Sequence, residues 1–118
     1  MVDVNRDAAE SSAGAAVDTE IVNKPRKAPL YALILENDDH HSFDYVTRIL
    51  QQICGHSATK AYQLTLEAHN SGRSLIWSGA LEVAELKRDQ IRSFGPDLFG
   101  PKPVKFPLGV AIEELPAS

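Results

Sequence analysis

The chain has 118 residues and a formal net charge of −4, which points to one domain and argues against a general attraction to nucleic acid or anionic membrane. Its apolar runs are far short of a bilayer span, and its single cysteine leaves no internal disulfide and no thiolate metal cluster. The N-terminus is polar and acidic from Asp3 onward, unlike a secretory signal or a transit peptide, so a cytoplasmic, monomeric protein is the expectation.

Residues 1–28 are rich in Ala, Ser and Asp, lack aromatics, and close on Lys24-Pro25-Arg26-Lys27-Ala28-Pro29. Such a segment cannot bury enough apolar surface to order itself, so a disordered N-terminal extension is expected there. The core domain is expected over residues 29–118. Tyr31-Ala32-Leu33-Ile34-Leu35 reads as a buried strand that Asn37-Asp38-Asp39 ends. Ser42 is a good N-cap for a helix with Asp44 in its first turn. Phe43, Val46, Ile49, Leu50 and Ile53 recur there at helical spacing, and Gly55 stops it. Ser57 caps a second helix with Ala61, Leu64, Thr65 and Ala68 on one face and Gly72 past its end. Ser74-Leu75-Ile76-Trp77 is a second strand. Gly79 followed by Glu82 suggests a capping arrangement for a third helix over 81–93. Gly95, Pro96, Gly100, Pro101 and Pro103 form a stiff, irregular connection. Phe106, Leu108, Val110 and Ile112 then alternate as a half-buried strand, with Pro107 favouring a sheet edge. The order β-α-α-β-α-β predicts an α+β fold, a two-layer domain of three helices on a three-stranded sheet.

The densest cluster of polar chemistry is Asn37-Asp38-Asp39-His40-His41-Ser42, at a strand-to-helix turn. Asn and Asp favour such turns for purely local reasons, because their side chains bond nearby backbone N–H groups. A phosphoacceptor receiver domain would need an acceptor Asp at the end of a second strand, where this chain has Trp77-Ser78-Gly79. A metal site from His40, His41, His56 and His69 with the two acids matches no standard ligand spacing. A hydrolytic triad lacks a serine in a nucleophile elbow, and Cys54 falls on the apolar helix face. Capture of a cationic group remains: carboxylate and amide oxygens in the loop can receive donors from an ammonium ion, and an apolar neighbour can be buried alongside. The residues alone leave turn chemistry and cation capture both open.

Four motifs, in order, resemble the ClpS adaptors of the bacterial Clp proteases. They are Leu33-Ile34-Leu35-Glu36-Asn37-Asp38-Asp39 with the following Phe43-Asp44-Tyr45-Val46, then Leu64-Thr65-Leu66-Glu67-Ala68-His69 with Gly72-Arg73, then Glu82-Val83-Ala84-Glu85-Leu86-Lys87, and last Pro107-Leu108 through Glu113-Glu114. The resemblance spans residues 30–115. It implies a ClpS-like fold, similar also to the C-terminal domain of a ribosomal stalk protein, with no enzymatic activity, no cofactor and no metal. It implies binding of protein N-termini that begin with Leu, Phe, Tyr or Trp, and their delivery to a Clp AAA+ unfoldase, ClpA-like or ClpC-like. Asn37, Asp38, Asp39 and His69 would then hold the α-amino group and first peptide unit. Leu35, Phe43, Val46, Thr65 and Ala68 would line a pocket for the first side chain, and Glu82 and Lys87 would contact the unfoldase. The N-terminal extension would take part in delivery, with a coil span of order 30 Å. A diverged interaction module of the same fold, without delivery, is the alternative.

The pattern departs from the family at the pocket. Phe43 stands where Met is usual, Thr65 replaces a longer apolar residue, His41 replaces a small Thr and Ser42 replaces Pro. Histidine is the side chain whose charge changes near neutral pH, so His40 and His41 are expected to make binding sensitive to pH between about 5 and 8. The 94–106 connection is longer than the family's.

Overall fold

A computed structural model describes residues 28–116 of the protein. The expected N-terminal extension therefore lies almost wholly outside the described residues. The elements follow the expected order: β1 (Tyr31–Glu36), α1 (Phe43–Gln52), α2 (Ala58–Ser71), β2 (Arg73–Gly79), α3 (Leu81–Arg92) and β3 (Val110–Glu114). The fold is α+β, with the three strands in one antiparallel sheet ordered β2-β1-β3.

β1 is central because it is the most continuously apolar strand. Ala32, Leu33, Ile34 and Leu35 are all buried. Leu33 and Leu35 face the helices and share one cluster with Ile76 of β2, Val110 of β3, Tyr45, Val46, Ile49 and Leu50 of α1, Ala61, Leu64 and Ala68 of α2, and Ile91 of α3. Ala32 and Ile34 take the opposite face of the strand. There Arg73, opposite Glu36, pairs with Glu113, opposite Ala32, so the ion pair crosses the sheet above Ile34. A register shift between Leu33 and Ile34 lets Ile76 bulge out of the β1–β2 ladder while its side chain stays buried.

The helix ends are written locally. The Ser42 hydroxyl accepts from the Tyr45 N–H at 3.1 Å, and the Ser57 hydroxyl accepts from the Lys60 N–H at 3.1 Å. Gly72 ends α2 in the left-handed conformation, φ 93°, which costs a residue without Cβ little.

Two expectations are corrected. Phe106 and Leu108 are not in the last strand, which begins at Val110. Leu108 is buried in an extended lead-in and Phe106 is exposed on the loop. Buried residues at alternate positions mark extended chain, and only backbone pairing makes it a strand; that pairing starts at Val110 opposite Leu35. Gly79 is also not a cap: the N-cap of α3 is Ala80, with no side-chain cap bond. Glycine fits there because an added Cβ would come within 2.4 Å of the Trp77 indole and would have to displace it. No helix among the described residues is long and apolar enough to cross a membrane.

Candidate functional site

The turn between β1 and α1 is rooted by its neighbours. The Glu36 N–H donates to the Gly109 carbonyl at 3.0 Å, and the Asn37 N–H donates to the Gly72 carbonyl at 3.0 Å. Both flanks of the sheet thus fix where the turn begins. Asp38 then folds it: its Oδ1 accepts from the backbone N–H groups of His40 at 2.8 Å and His41 at 3.0 Å, and its Oδ2 meets His41 Nδ1. Asp39 adopts φ 63°, a left-handed conformation that Asp tolerates better than most residues. Its Oδ1 accepts from Asn37 Nδ2 at 2.9 Å. With the amide nitrogen so engaged, the Asn37 carbonyl oxygen is the end left to accept from a ligand.

Beside this turn lies a cavity of about 210 Å³. Its lining includes Asn37, Asp38, Asp39 and His69, and also Leu35, Phe43, Val46, Thr65 and Ala68. The structure therefore brings together every residue expected at the clamp and every residue expected at the apolar pocket. Leu35, Val46, Thr65 and Ala68 are buried, whereas Asn37, Asp39 and His69 are exposed at the rim. The result is a cleft with acceptors at one end and an apolar interior at the other. Thr65 is compatible with that interior because its hydroxyl donates to the Ala61 carbonyl at 2.8 Å and leaves no bare donor. Phe43 sits with its ring 5.4 Å from His69, edge to face, and 5.9 Å from Tyr62.

The Asp38 carboxyl sits in opposing influences. Burial raises its pKa, but the N–H groups of His41 and His40, the His41 ring hydrogen bond and the charge on that ring together hold it below the ordinary 3.8. Asp38 is consequently an anion at neutral pH. The Tyr45 phenol is pushed above 10.0 by burial and by the Asp97 carboxylate, and its hydroxyl donates to the Gly95 carbonyl.

The sequence matches the family described as "ATP-dependent Clp protease adaptor protein ClpS" over residues 26–98, well over half of the chain. The chain belongs to the ClpS family. It is 29% identical to the ClpS adapter protein of Helicobacter hepaticus across 86% of this chain and 96% of that one. Against the ClpS adapter of Synechocystis the identity is 32%, across 72% of this chain and 89% of the relative. Among solved structures it resembles Agrobacterium tumefaciens ClpS2 bound to L-phenylalaninamide, with a TM-score of 0.64 and 25% identity over 75% of this chain and all of that one. The protein is thus an adaptor of a Clp protease.

The other expected residues lie apart from the cleft. Glu82 and Lys87 are on α3, which contributes nothing to its lining. Glu82 is exposed, while the Lys87 ammonium donates to the Ile53 carbonyl at 2.8 Å and lies 5.4 Å from the Trp77 ring centroid. His56 bonds the Ile76 carbonyl at 2.6 Å, which ties the α1–α2 turn to β2. Among the described residues, no three His, Cys, Asp or Glu side chains converge as a metal site.

Sequence reasoning missed two members of the site's surroundings. Leu108 lines the cleft, not only the core. Asp97, 1% exposed, accepts from the Ser42 N–H at 2.6 Å, the Ser42 hydroxyl at 3.2 Å and the Phe99 N–H at 3.0 Å. The only sequence signal at Asp97 was the Gly95-Pro96 turn before it, and a turn residue does not disclose a partner 55 positions away.

Proposed function

We propose that this ClpS-family chain binds the free N-terminus of proteins that begin with Leu, Phe, Tyr or Trp and delivers them to a ClpA-like or ClpC-like AAA+ unfoldase. The observation that carries this reading is the cleft itself, with carboxylate and amide oxygens at one end and an apolar interior at the other. L-Phenylalaninamide, the ligand named for Agrobacterium ClpS2, has the matching parts: an ammonium, a benzyl side chain and one amide. An α-amino group is mostly protonated at neutral pH. It can donate to the Asn37 carbonyl oxygen and to the carboxylates of Asp38 and Asp39, while His69 reaches the first peptide unit from the facing helix. Each hydrogen bond to a charged group is worth about 1.5–3 kcal/mol, and burying one large apolar side chain about 1.5–3 kcal/mol more. Together these favour micromolar binding or tighter once association costs are met.

In this reading residues 29–118 form the adaptor domain, which works as a cytoplasmic monomer without cofactor or catalysis. Residues 1–28 take part in delivery, and Glu82 and Lys87 form part of the docking face. The Lys87 ammonium is tied down by Ile53, so Lys87 presents its aliphatic stem more than a free charge.

The test is fluorescence anisotropy with labelled peptides that begin with Phe or Leu. Free peptides should bind, and the same peptides N-acetylated should bind at least about tenfold more weakly, because charge and donors are both lost. Asp38→Ala and His69→Ala should each weaken binding. Equal affinity for free and acetylated peptides overturns the reading. A pull-down of the unfoldase by the wild type, lost in a Glu82→Ala variant, tests delivery.

A further inference from the structure

The 94–109 connection is long, but two polar contacts tie it back to the turn that carries the clamp. One is Asp97 on Ser42. The other passes through His41. The His41 side chain is 1% exposed. Its ring stacks on Tyr45 at 5.2 Å and takes the Phe106 ring edge-on at 5.0 Å. Its Nδ1 meets Asp38 Oδ2, and its Nε2 lies 3.0 Å from the Phe106 carbonyl oxygen.

Both ring nitrogens therefore face oxygen acceptors. A neutral imidazole has one donor and one acceptor, so only the doubly protonated ring satisfies both contacts. The titratable groups around it are Asp38 and His40 from the turn, Tyr45 from α1, and Asp97 from the connection, which reaches Tyr45 and Ser42. Of these, Asp38 carries the opposite charge in direct contact. A side chain much shorter than histidine could not span from Asp38 to Phe106.

We infer that His41 is a positioning residue of the peptide site: bonded at both ring nitrogens, it locks the Asp38 carboxylate to the 94–109 connection and so sets the direction in which the clamp's acceptors point. The inference rests on the cleft being the N-terminus site. It has a consequence for binding. When the ring loses a proton, one of its contacts must break. Either Asp38 loses a donor or the connection loses its hold on the turn, and affinity falls with rising pH for a reason separate from titration of the peptide's own amino group.

The experiment measures affinity for a Phe-initiated peptide across pH with the full chain, in the wild type and in His41→Gln, with the N-acetylated peptide as control. Gln keeps an amide donor but does not titrate. At the acid end the variant should bind about tenfold more weakly, and its profile should lack the extra fall with rising pH seen in the wild type. Nitrogen-15 spectra of the wild-type His41 ring in the complex should show protons on both nitrogens where affinity is highest. This second measurement needs no variant, so it decides the matter if His41→Gln fails to fold. A His41→Gln variant that matches the wild type in affinity and pH profile overturns the inference, as does a singly protonated His41 in the tightest complex. If instead the wild type binds free and acetylated peptides alike, the N-terminus reading itself has failed, whatever His41 does.

Discussion

Replacing Asp97 by Ala should cost the fold more than its position in an irregular connection suggests. The carboxylate is 1% exposed and receives three donors. They do not count equally. Phe99 is exposed, so its N–H finds water when the carboxylate is gone. Ser42 is half-buried and is the N-cap of α1, so its N–H loses a charge-assisted partner with little water to replace it. An orphaned part-buried donor costs about 1–3 kcal/mol, and the hydroxyl and the anion near the helix N-terminus add about 0.5–1 kcal/mol more. A total of about 3 kcal/mol lowers Tm by roughly 12–24 °C for a domain of this size. Asp97→Asn keeps one acceptor oxygen and should lose only about 1 kcal/mol. Urea unfolding reports both through Trp77, the chain's single tryptophan, which packs against the core. A loss below about 1 kcal/mol in Asp97→Ala would show that the connection is not braced through this carboxylate.

Three further outcomes follow from the packing and the titrating groups. Gly79→Ala should destabilise the domain by about 1–3 kcal/mol and alter Trp77 fluorescence, since the new Cβ would press into the indole; an unchanged spectrum would contradict this. The Cys54 thiol is pushed up to about 11 by burial, which nearby Lys87 offsets only in part, so at pH 8 a disulfide reagent should react slowly with the native chain and promptly in urea. The folded-state pKa of Asp38 is depressed below 3.8, so its contribution to stability is complete above that value and is lost as pH falls through the lower folded value. The stability gap between wild type and Asp38→Asn should accordingly narrow as pH falls into the acid range below 3.8, as urea unfolding at each pH will read.

Much of this fold is legible in the sequence because its signals are local. The Ala32 to Leu35 run reads as a buried strand, and Ser42 and Ser57 cap the helices that follow them. The cleft was legible for another reason: the residues expected there sit inside short motifs that resemble those of the ClpS adaptors, and one cavity is lined by them. What escaped notice depends on contacts across long stretches of chain. Nothing near Asp97 or Phe106 in the sequence announces Ser42 or His41, 55 and 65 positions away. The last strand was placed too early because Leu108 is buried like a strand residue while its neighbour Gly109 serves the Glu36 N–H instead of a ladder partner. Gly79 was misread because the reason for a glycine there is an indole two residues earlier, visible only in three dimensions.

The strand order carries a consequence for how the protein is made. β1 leaves the ribosome first yet sits in the middle of the sheet, and Tyr31 must wait for Glu114 to complete the pairing on its far side. Leu108, which helps wall the cleft, and the Phe106 carbonyl, which meets His41, arrive with that last segment. The turn is therefore synthesised about seventy residues before the parts that shape it, and such long-range closure comes late in folding. A chain cut short before β3 would lack both the third strand and a finished cleft. On the proposed reading, competence to bind an N-terminus thus comes only once β3 has been made, and a chain stopped before it would stay silent.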